Sequence, residues 1–360
     1  MDEMEDSLYT NELANALSDM HARFDIAQKE SELQKAKSEI ELNTIQQRSL
    51  FGAIAALGIL MIIGYFLFKQ RLQNRALAAE KEKKEKELFE IRNTELKNAF
   101  DEIEYKNQEI TASIKYAKRI QKAILPSNKI LKHALPESFV FYKPKDIVAG
   151  DFYWVEMVED WVFFAAADCT GHGVPGAMVS VICNNGLNRS VREFGLREPG
   201  QILNKTRELV IKEFEKSDEE VKDGMDVSLY ALNRKTNFIK WSGANNPFCV
   251  GKSNGVSEDR LVEIRADKQP IGAFGAGKPF TQHEMQLEKG DMIYSYSDGY
   301  PDQFGGEQGK KFKSVNFKKL FADIAEKSMK EQHDMLMASF EKWRGDLEQI
   351  DDVCVFGVRV

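Results

Sequence analysis

Three hydrophobic patterns follow one another along this chain. The first is continuous: "LFGAIAALGILMIIGYFLF", residues 50–68, carries no charge. A run of that length crosses the hydrocarbon layer of a bilayer as one helix. A buried core helix is the alternative, but core helices rarely run so far without a polar position. A long polar segment precedes the run and no small-residue cleavage pattern follows it, so it does not read as a signal peptide. Lys69, Arg71, Arg75, Lys81, Lys83 and Lys84 crowd its C-terminal side, whereas the acid-rich segment before it has Arg48 alone close by. The positive-inside tendency then places residue 69 onward in the cytoplasm. The expectation is a single pass through the cell inner membrane, with residues 1–49 a helical extracytoplasmic segment free of proline.

The second pattern has a period of seven. Phe89, Leu96, Ile103, Ile110, Ala117 and Ile124 recur at that spacing, and Phe100 and Ile114 fill the second seam position in alternate heptads. This predicts a coiled-coil signalling helix over 69–125 and a parallel homodimer. Asn93 and Asn107 fall on the second seam, where a polar residue fixes register. A single amphipathic helix lying on a domain is the other reading. Pro126, in "ILPSN", ends the pattern.

The third pattern occupies 126–360: short apolar runs separated by glycine, proline and aspartate, mixed with helical stretches. Strands are predicted at "SFVFYKP", "DFYWVEMV", "WVFFAAAD", "DVSLYALN", "FIKWSGA", "FCVGK", "DMIYSYSD" and "VCVFGVRV". Helices are predicted from Pro175 to about Phe194, from Pro199 to Phe214, from Phe317, and from Lys330 to Glu348. Many strands with two pairs of helices make an α+β sandwich whose helices cover the outer faces of the sheets.

Composition narrows the chemistry. A net charge of −7 and a pI near 5.5 argue against nucleic acid as a partner. Cysteines 169, 183, 249 and 354 are too scattered for a paired zinc or redox motif and too few for a disulfide scaffold. The informative residues are acids at strand ends: Asp151 before "FYWV", Asp168 after "VFFAAA", Asp298 after "MIYSYS", and Asp351 and Asp352 before "VCVFGV". Taken singly, each has a plain reading as a turn or capping residue. Brought together by packing, they would repel one another unless divalent cations neutralised them, and magnesium or manganese suits oxygen ligands. No GxSxG elbow, Walker A loop or HExxH helix offers a different chemistry. Two hard cations suit hydrolysis at phosphorus.

The blocks "AGDFYW", "ADCTGHGVPGAM", "WSGANNPF", "QPIG", "YSDGYPDQF" and "DDVCVFGV", in this order, resemble the sporulation-protein-E type of bacterial serine phosphatase, a branch of the metal-dependent protein phosphatase 2C family. The resemblance implies a four-layer αββα sandwich holding two divalent cations, manganese or magnesium, and hydrolysis of phosphoserine or phosphothreonine on a protein. By motif, Asp168 and Asp298 would be central to catalysis. Asp151, Asp168, Asp298, Asp351 and the carbonyl of Cys169 would hold the metals, with Asp226, Asp352 and His172 standing just outside them. Eukaryotic members carry an arginine near the phosphate and a histidine directly after the metal-binding Asp-Gly. Here the Asp151 block has no arginine and His172 comes four residues after Asp168. The resemblance also implies a phosphorylated regulatory protein as partner, such as an anti-sigma factor antagonist.

Lys143 and Lys145 precede Asp151 and are candidates to meet the substrate's phosphate, as are Lys310 and Lys311 in "GGEQGKKFKSVNFKKLF". That last segment reads either as a plain basic loop or as a mobile flap that recognises a phosphoprotein. Two other functions compete with the phosphatase: a non-catalytic membrane signalling module that only binds a regulator, and a sensor kinase. Retention of every ligand-type acid argues against the first, and the lack of nucleotide-binding boxes against the second.

Overall fold

From Val162 to Ala167 every residue is buried, although the segment is one strand of an antiparallel sheet. Layers on both sides explain the unbroken apolar run. Val162, Phe164 and Ala166 pack with Tyr230, Phe248 and Phe356. Phe163, Ala165 and Ala167 point the other way and pack with Val179, Cys183 and Leu187.

A computed structural model of the chain describes residues 37, 57–216, 222–253, 261–274 and 277–360. The elements are α1 (Leu57–Ile124), α2 (Asn128–Ala134), β1 (Ser138–Lys143), β2 (Phe152–Val158), β3 (Trp161–Cys169), α3 (Gly173–Arg192) and α4 (Pro199–Phe214). There follow β4 (Gly224–Asn233), β5 (Phe238–Ala244), β6 (Phe248–Gly251), β7 (Leu261–Ile264), β8 (Ile271–Gly272), β9 (His283–Gln286) and β10 (Met292–Tyr296). The chain closes with α5 (Gly299–Asp302), β11 (Phe304–Gly305), β12 (Lys310–Lys311), α6 (Ser314–Ile324), α7 (Met329–Arg344) and β13 (Val353–Arg359).

One sheet runs β1-β13-β10-β6-β7; the other runs β2-β3-β4-β5-β9, with β8 joined to β4. Their inner faces share one core, in which Phe164 stacks on Tyr230 at 4.9 Å and meets Phe356 edge-on at 5.5 Å. Helices α3 and α4 cover the outside of the second sheet. Helices α6 and α7 cover the first through Phe317, Phe321, Leu336 and Phe340. The result is the α+β sandwich of four layers, helix–sheet–sheet–helix.

Packing divides the chain into two compact units, residues 1–109 and Ile110–Val360. In the first, the described residues are helical, and Phe89, Leu96 and Phe100 of the heptad seam are exposed. In the second, the seam positions Ile114, Ala117 and Ile124 are half-buried and Gln121 is buried. Helix α1 ends at Ile124, before Pro126, and Ser127 then caps α2. The segment 1–49, Lys37 apart, and residues 50–56 of the apolar run lie outside the described residues. Residues 57–68 begin α1, and among the described residues no helix is long and apolar enough to cross a membrane.

All eight strands expected from the sequence are present. Helix α7 stops at Arg344, short of Glu348, because Gly345 turns to φ 56° and its N–H closes on the Glu341 carbonyl. Strands β7 and β9 were missed because they are half-exposed edge strands whose sequences, "LVEI" and "HEMQ", lack a clean apolar run. The basic segment has local structure of its own. Residues 304–311 form a hairpin whose Gly306 N–H bonds to the Trp343 carbonyl at 2.7 Å, and Ser314 already starts a helix.

Asp291 anchors the turn before β10. It is 1% exposed and accepts from Lys252 Nζ at 2.8 Å, the Ser253 N–H at 2.9 Å, the Ser253 hydroxyl at 3.1 Å and the Glu288 N–H at 3.1 Å. Burial alone would raise its pKa, but these donors outweigh burial and hold it below the usual carboxylate value. Asp291→Ala is therefore expected to cost about 2 kcal/mol in urea unfolding at pH 7. Because the folded-state pKa is depressed, that advantage is present above the unfolded value of about 4 and shrinks as pH falls through the folded one. A gap between variant and wild type that did not narrow under acid would contradict this assignment.

Candidate metal centre

Strand register brings the first three acids together. Phe152 pairs with Ala167 across β2 and β3, which places Asp151 beside Asp168, and Asp168 pairs directly with Asp226 across β3 and β4. Three aspartates thus form one row across the end of the second sheet. The facing sheet contributes its own acids where β10 ends and β13 begins, at Asp298, Asp351 and Asp352. The two rows meet: Asp298 and Asp351 lie near enough to Asp168 for their charges to raise its pKa, and all three line the same cleft. Asp168, Cys169, Asp226, Asp298 and Asp351 line one cleft of about 320 Å³.

The backbones around this cleft are very close. A side chain on Gly150 would place its Cβ 2.3 Å from the Gly171 carbonyl oxygen, so the loop before β2 can lie against the loop after β3 only as glycine. Gly171 itself turns at φ 81°. Asp352 holds this arrangement, accepting from the Lys145 N–H through Oδ1 and the Gly150 N–H through Oδ2, both at 2.7 Å. Both of its oxygens accept from backbone N–H groups. Asp151, 2% exposed, accepts from the Ser297 hydroxyl at 2.5 Å.

The electrostatics are those of crowded like charges. Burial, then the charge of Asp168, pushes Asp151 well above the carboxylate range. Burial, then Asp298, Asp351 and Asp226, does the same to Asp168. Asp298 is raised by burial and by Asp351 and Asp302, and Asp226 and Asp352 are raised mainly by burial. A cation relieves all of these at once. The donors available are oxygens: the Asp168, Asp226, Asp298 and Asp351 carboxylates that line the cleft, the Asp151 carboxylate beside Asp168, and the Cys169 carbonyl. The Cys169 thiol is buried against Cys183 and pushed well upward, first by burial, so it offers no thiolate. This donor chemistry fits magnesium or manganese rather than a soft metal. Among the described residues no three His, Cys, Asp or Glu side chains already converge on one cation position.

Around the cleft, His172 lies on the rim. Its Nδ1 meets Asp146 Oδ2 at 2.8 Å and its Nε2 meets Lys145 Nζ at 2.9 Å. An ammonium only donates, so Nε2 accepts and Nδ1 carries the ring proton. Neither lysine lines the cleft itself: Lys145 touches it only through His172, and Lys143 is paired with Glu341 on α7. Lys311 pairs with Asp302 at 2.6 Å, close to Asp298, and Lys310 is exposed beside it. Two participants escaped the sequence reading. Asn245, at φ 58°, donates to Asp226 Oδ1 at 2.8 Å, and Asp146 orients His172. "GANNP" offered a signal for the first, since asparagine tolerates the left-handed region; Asp146 offered none.

Residues 159–360 match the family model for stage II sporulation protein E. The phosphoserine phosphatase RsbU of Bacillus subtilis (strain 168) is 23% identical over 192 residues, 53% of this chain and 54% of RsbU, so the chain spans about half the length of that curated relative. Among solved structures, the SiaA PP2C domain of Pseudomonas aeruginosa is 28% identical with a TM-score of 0.63, over 71% of this chain and 98% of that domain. The PP2C phosphatase domain of SpoIIE from Bacillus subtilis, with a fragment of its regulatory domain, is 18% identical with a TM-score of 0.48, over 62% of this chain and 63% of that one.

Removing one carboxylate should relax the metal-free protein. Asp168→Asn is expected to melt above wild type in chelator, by about 2–4 °C for each kcal/mol of repulsion relieved. Added manganese should raise the melting temperature of wild type more than that of the variant. Calorimetry with and without manganese checks both, and a variant that melts below wild type in chelator would show that these acids do not strain the fold.

Proposed function

This chain belongs to the stage II sporulation protein E family, and from that membership we propose that it is a metal-dependent protein serine/threonine phosphatase acting on a phosphorylated regulatory protein. The observation that carries the reading is the meeting of two rows of aspartate, Asp151, Asp168 and Asp226 from one sheet and Asp298, Asp351 and Asp352 from the other. Asp151, Asp168, Asp298, Asp351 and the Cys169 carbonyl would hold two divalent cations, manganese or magnesium, with Asp168 and Asp298 central. When bound, such ions supply a fixed positive field for the phosphoryl oxygens and lower the pKa of water. The protein's own groups set the stage for that field. Asp352 fixes the backbone on either side of the loop 145–150, and Asn245 orients Asp226. Asp146 and His172 hold the Lys145 ammonium at the rim, where it can meet a phosphoryl oxygen. Lys310 and Lys311 lie beside the cleft's Asp298 edge and can meet the acidic surface of a phosphoprotein.

The same proposal covers the N-terminal half. Residues 50–68 anchor the chain in the inner membrane, residues 69–125 pair with a second copy as a parallel coiled coil, and the phosphatase unit faces the cytoplasm. Support comes from the uncharged run, the flanking positive charges and the exposed heptad seam. Gln121 supplies a route from helix to site. Its Oε1 accepts the Ala149 N–H at 3.2 Å, and its Nε2 donates to the Ala149 carbonyl at 2.5 Å and to Ser180 at 3.1 Å. A shift of the helix would pull on Ala149 and so on Gly150 and Asp151. The partner, by analogy with RsbU as a phosphoserine phosphatase, is a phosphorylated protein of the anti-sigma factor antagonist kind.

The full chain with manganese should release phosphate from a phosphoserine protein, and chelator should stop it. Asp298→Asn should lower kcat by at least about a hundredfold while the circular dichroism spectrum is kept. Absence of release by the wild type, or undiminished release by the variant, would overturn the reading. For the anchor, deleting residues 50–68 should move the chain from the membrane fraction to the soluble one.

A further inference from the structure

One wall of the acidic cleft is not explained by metal chemistry. Pro270 and Phe274 line it, and Phe274 is 46% exposed. Neither side chain can ligate a cation or donate to a phosphate. A half-exposed phenyl ring facing carboxylates is apolar surface kept in contact with water, at a cost in solvation.

The ring is held in place by a built support. Strand β8 pairs with β4 at Ile271↔Met225, one residue from Asp226, so the segment carrying Phe274 is tied to the acid row itself. The ring lies against Gly272, where a Cβ would come within 3.0 Å of Phe274 Cε2. Gln269 and Lys278, on either side of Phe274 in the chain, are joined to each other. Gln269 Oε1 accepts the Lys278 N–H at 3.0 Å, and Gln269 Nε2 donates to the Lys278 carbonyl at 2.9 Å. Arg207 of α4 donates to Gln269 Oε1 at 3.2 Å and to the Lys278 carbonyl at 2.8 Å, and its guanidinium sits 4.7 Å from the centre of the Phe280 ring. A phenyl ring anchored in this way and left half bare is suited to cover a ligand rather than to fill a core.

We propose that Phe274, with Pro270 beside it, is a specificity element that takes an apolar side chain flanking the phosphorylated residue of the protein substrate. The inference rests on the phosphatase reading above and deepens it by naming a substrate class: phosphoserine or phosphothreonine segments with an apolar neighbour. Geometry favours a flanking residue over the phosphate itself. The ring belongs to the wall next to Asp226, and neighbouring residues of an extended peptide are about 3.3 Å apart, so a side chain one or two positions away reaches it. Acidic neighbours would instead meet the carboxylates of the same cleft.

The test uses the full chain with manganese and three substrates: two phosphoserine peptides that differ only in leucine or glutamate beside the phosphoserine, and a small aryl phosphate. Wild type should prefer the leucine peptide. Phe274→Ala should lower kcat/KM on that peptide about tenfold further than on the aryl phosphate, the effect of losing roughly half a buried aromatic side chain. Phe274→Leu, which keeps the apolar surface, should retain most of the preference. Equal losses on all three substrates would assign Phe274 to supporting the cleft and overturn the proposal, as would an unchanged preference in Phe274→Ala. A wild type that cleaves the aryl phosphate without distinguishing the peptides sinks this inference alone, whereas one inert toward all three sinks the phosphatase reading and this inference with it.

Discussion

Everything distinctive in this molecule depends on negative charges held closer together than they would choose to be. Burial pushes Asp151, Asp168 and Asp298 upward in pKa, and neighbouring charge adds to it, Asp168 on Asp151, Asp298 on Asp168 and Asp351 on Asp298; the fold tolerates them because sheet packing outweighs the repulsion. The inner core, built on Phe164, Tyr230, Trp241 and Phe356, is fully buried, and each such side chain contributes roughly 1.5–3 kcal/mol. The sandwich is thus a rigid press that forces two rows of carboxylate to face each other. A site of this kind is poor in stability and rich in affinity for cations.

The press works because the backbone near the acids is unusually bare. Gly150, Gly171 and Gly176 let three segments touch main chain to main chain, with a Cβ on Gly176 only 2.2 Å from the Gly171 carbonyl oxygen. Asp352 then uses its carboxylate as a clamp on two amides. Similar side chains at the same end of the fold therefore do different work, and their hydrogen bonds tell them apart. Asp352 has both oxygens occupied by backbone donors, whereas Asp168 opens onto the cleft.

The hydrogen bonds of Gln121 give the end of α1 a stake in this geometry. Its amide grips Ala149 at both ends of the peptide unit, two residues before Asp151. Few side chains of a long exposed helix are buried, and this one is buried against the segment that leads into the acids. The pinned aromatic wall at Phe274 stands at the same cleft but on a separate support, Arg207 and β8.

By itself the sequence determined the local chemistry: the heptad seam, the eight apolar strands and the acids at their ends, because periodicity and turn chemistry act over a few residues. Only the tertiary structure decided which acid faces which, that Asp352 clamps while Asp168 lines the cleft, that Lys143 goes to Glu341 and Lys145 to His172, and that the basic segment after Gly305 is a hairpin leading into a helix. Strand register and sheet order bring together residues more than a hundred positions apart, and nothing in a local pattern encodes the partner of a side chain across two sheets.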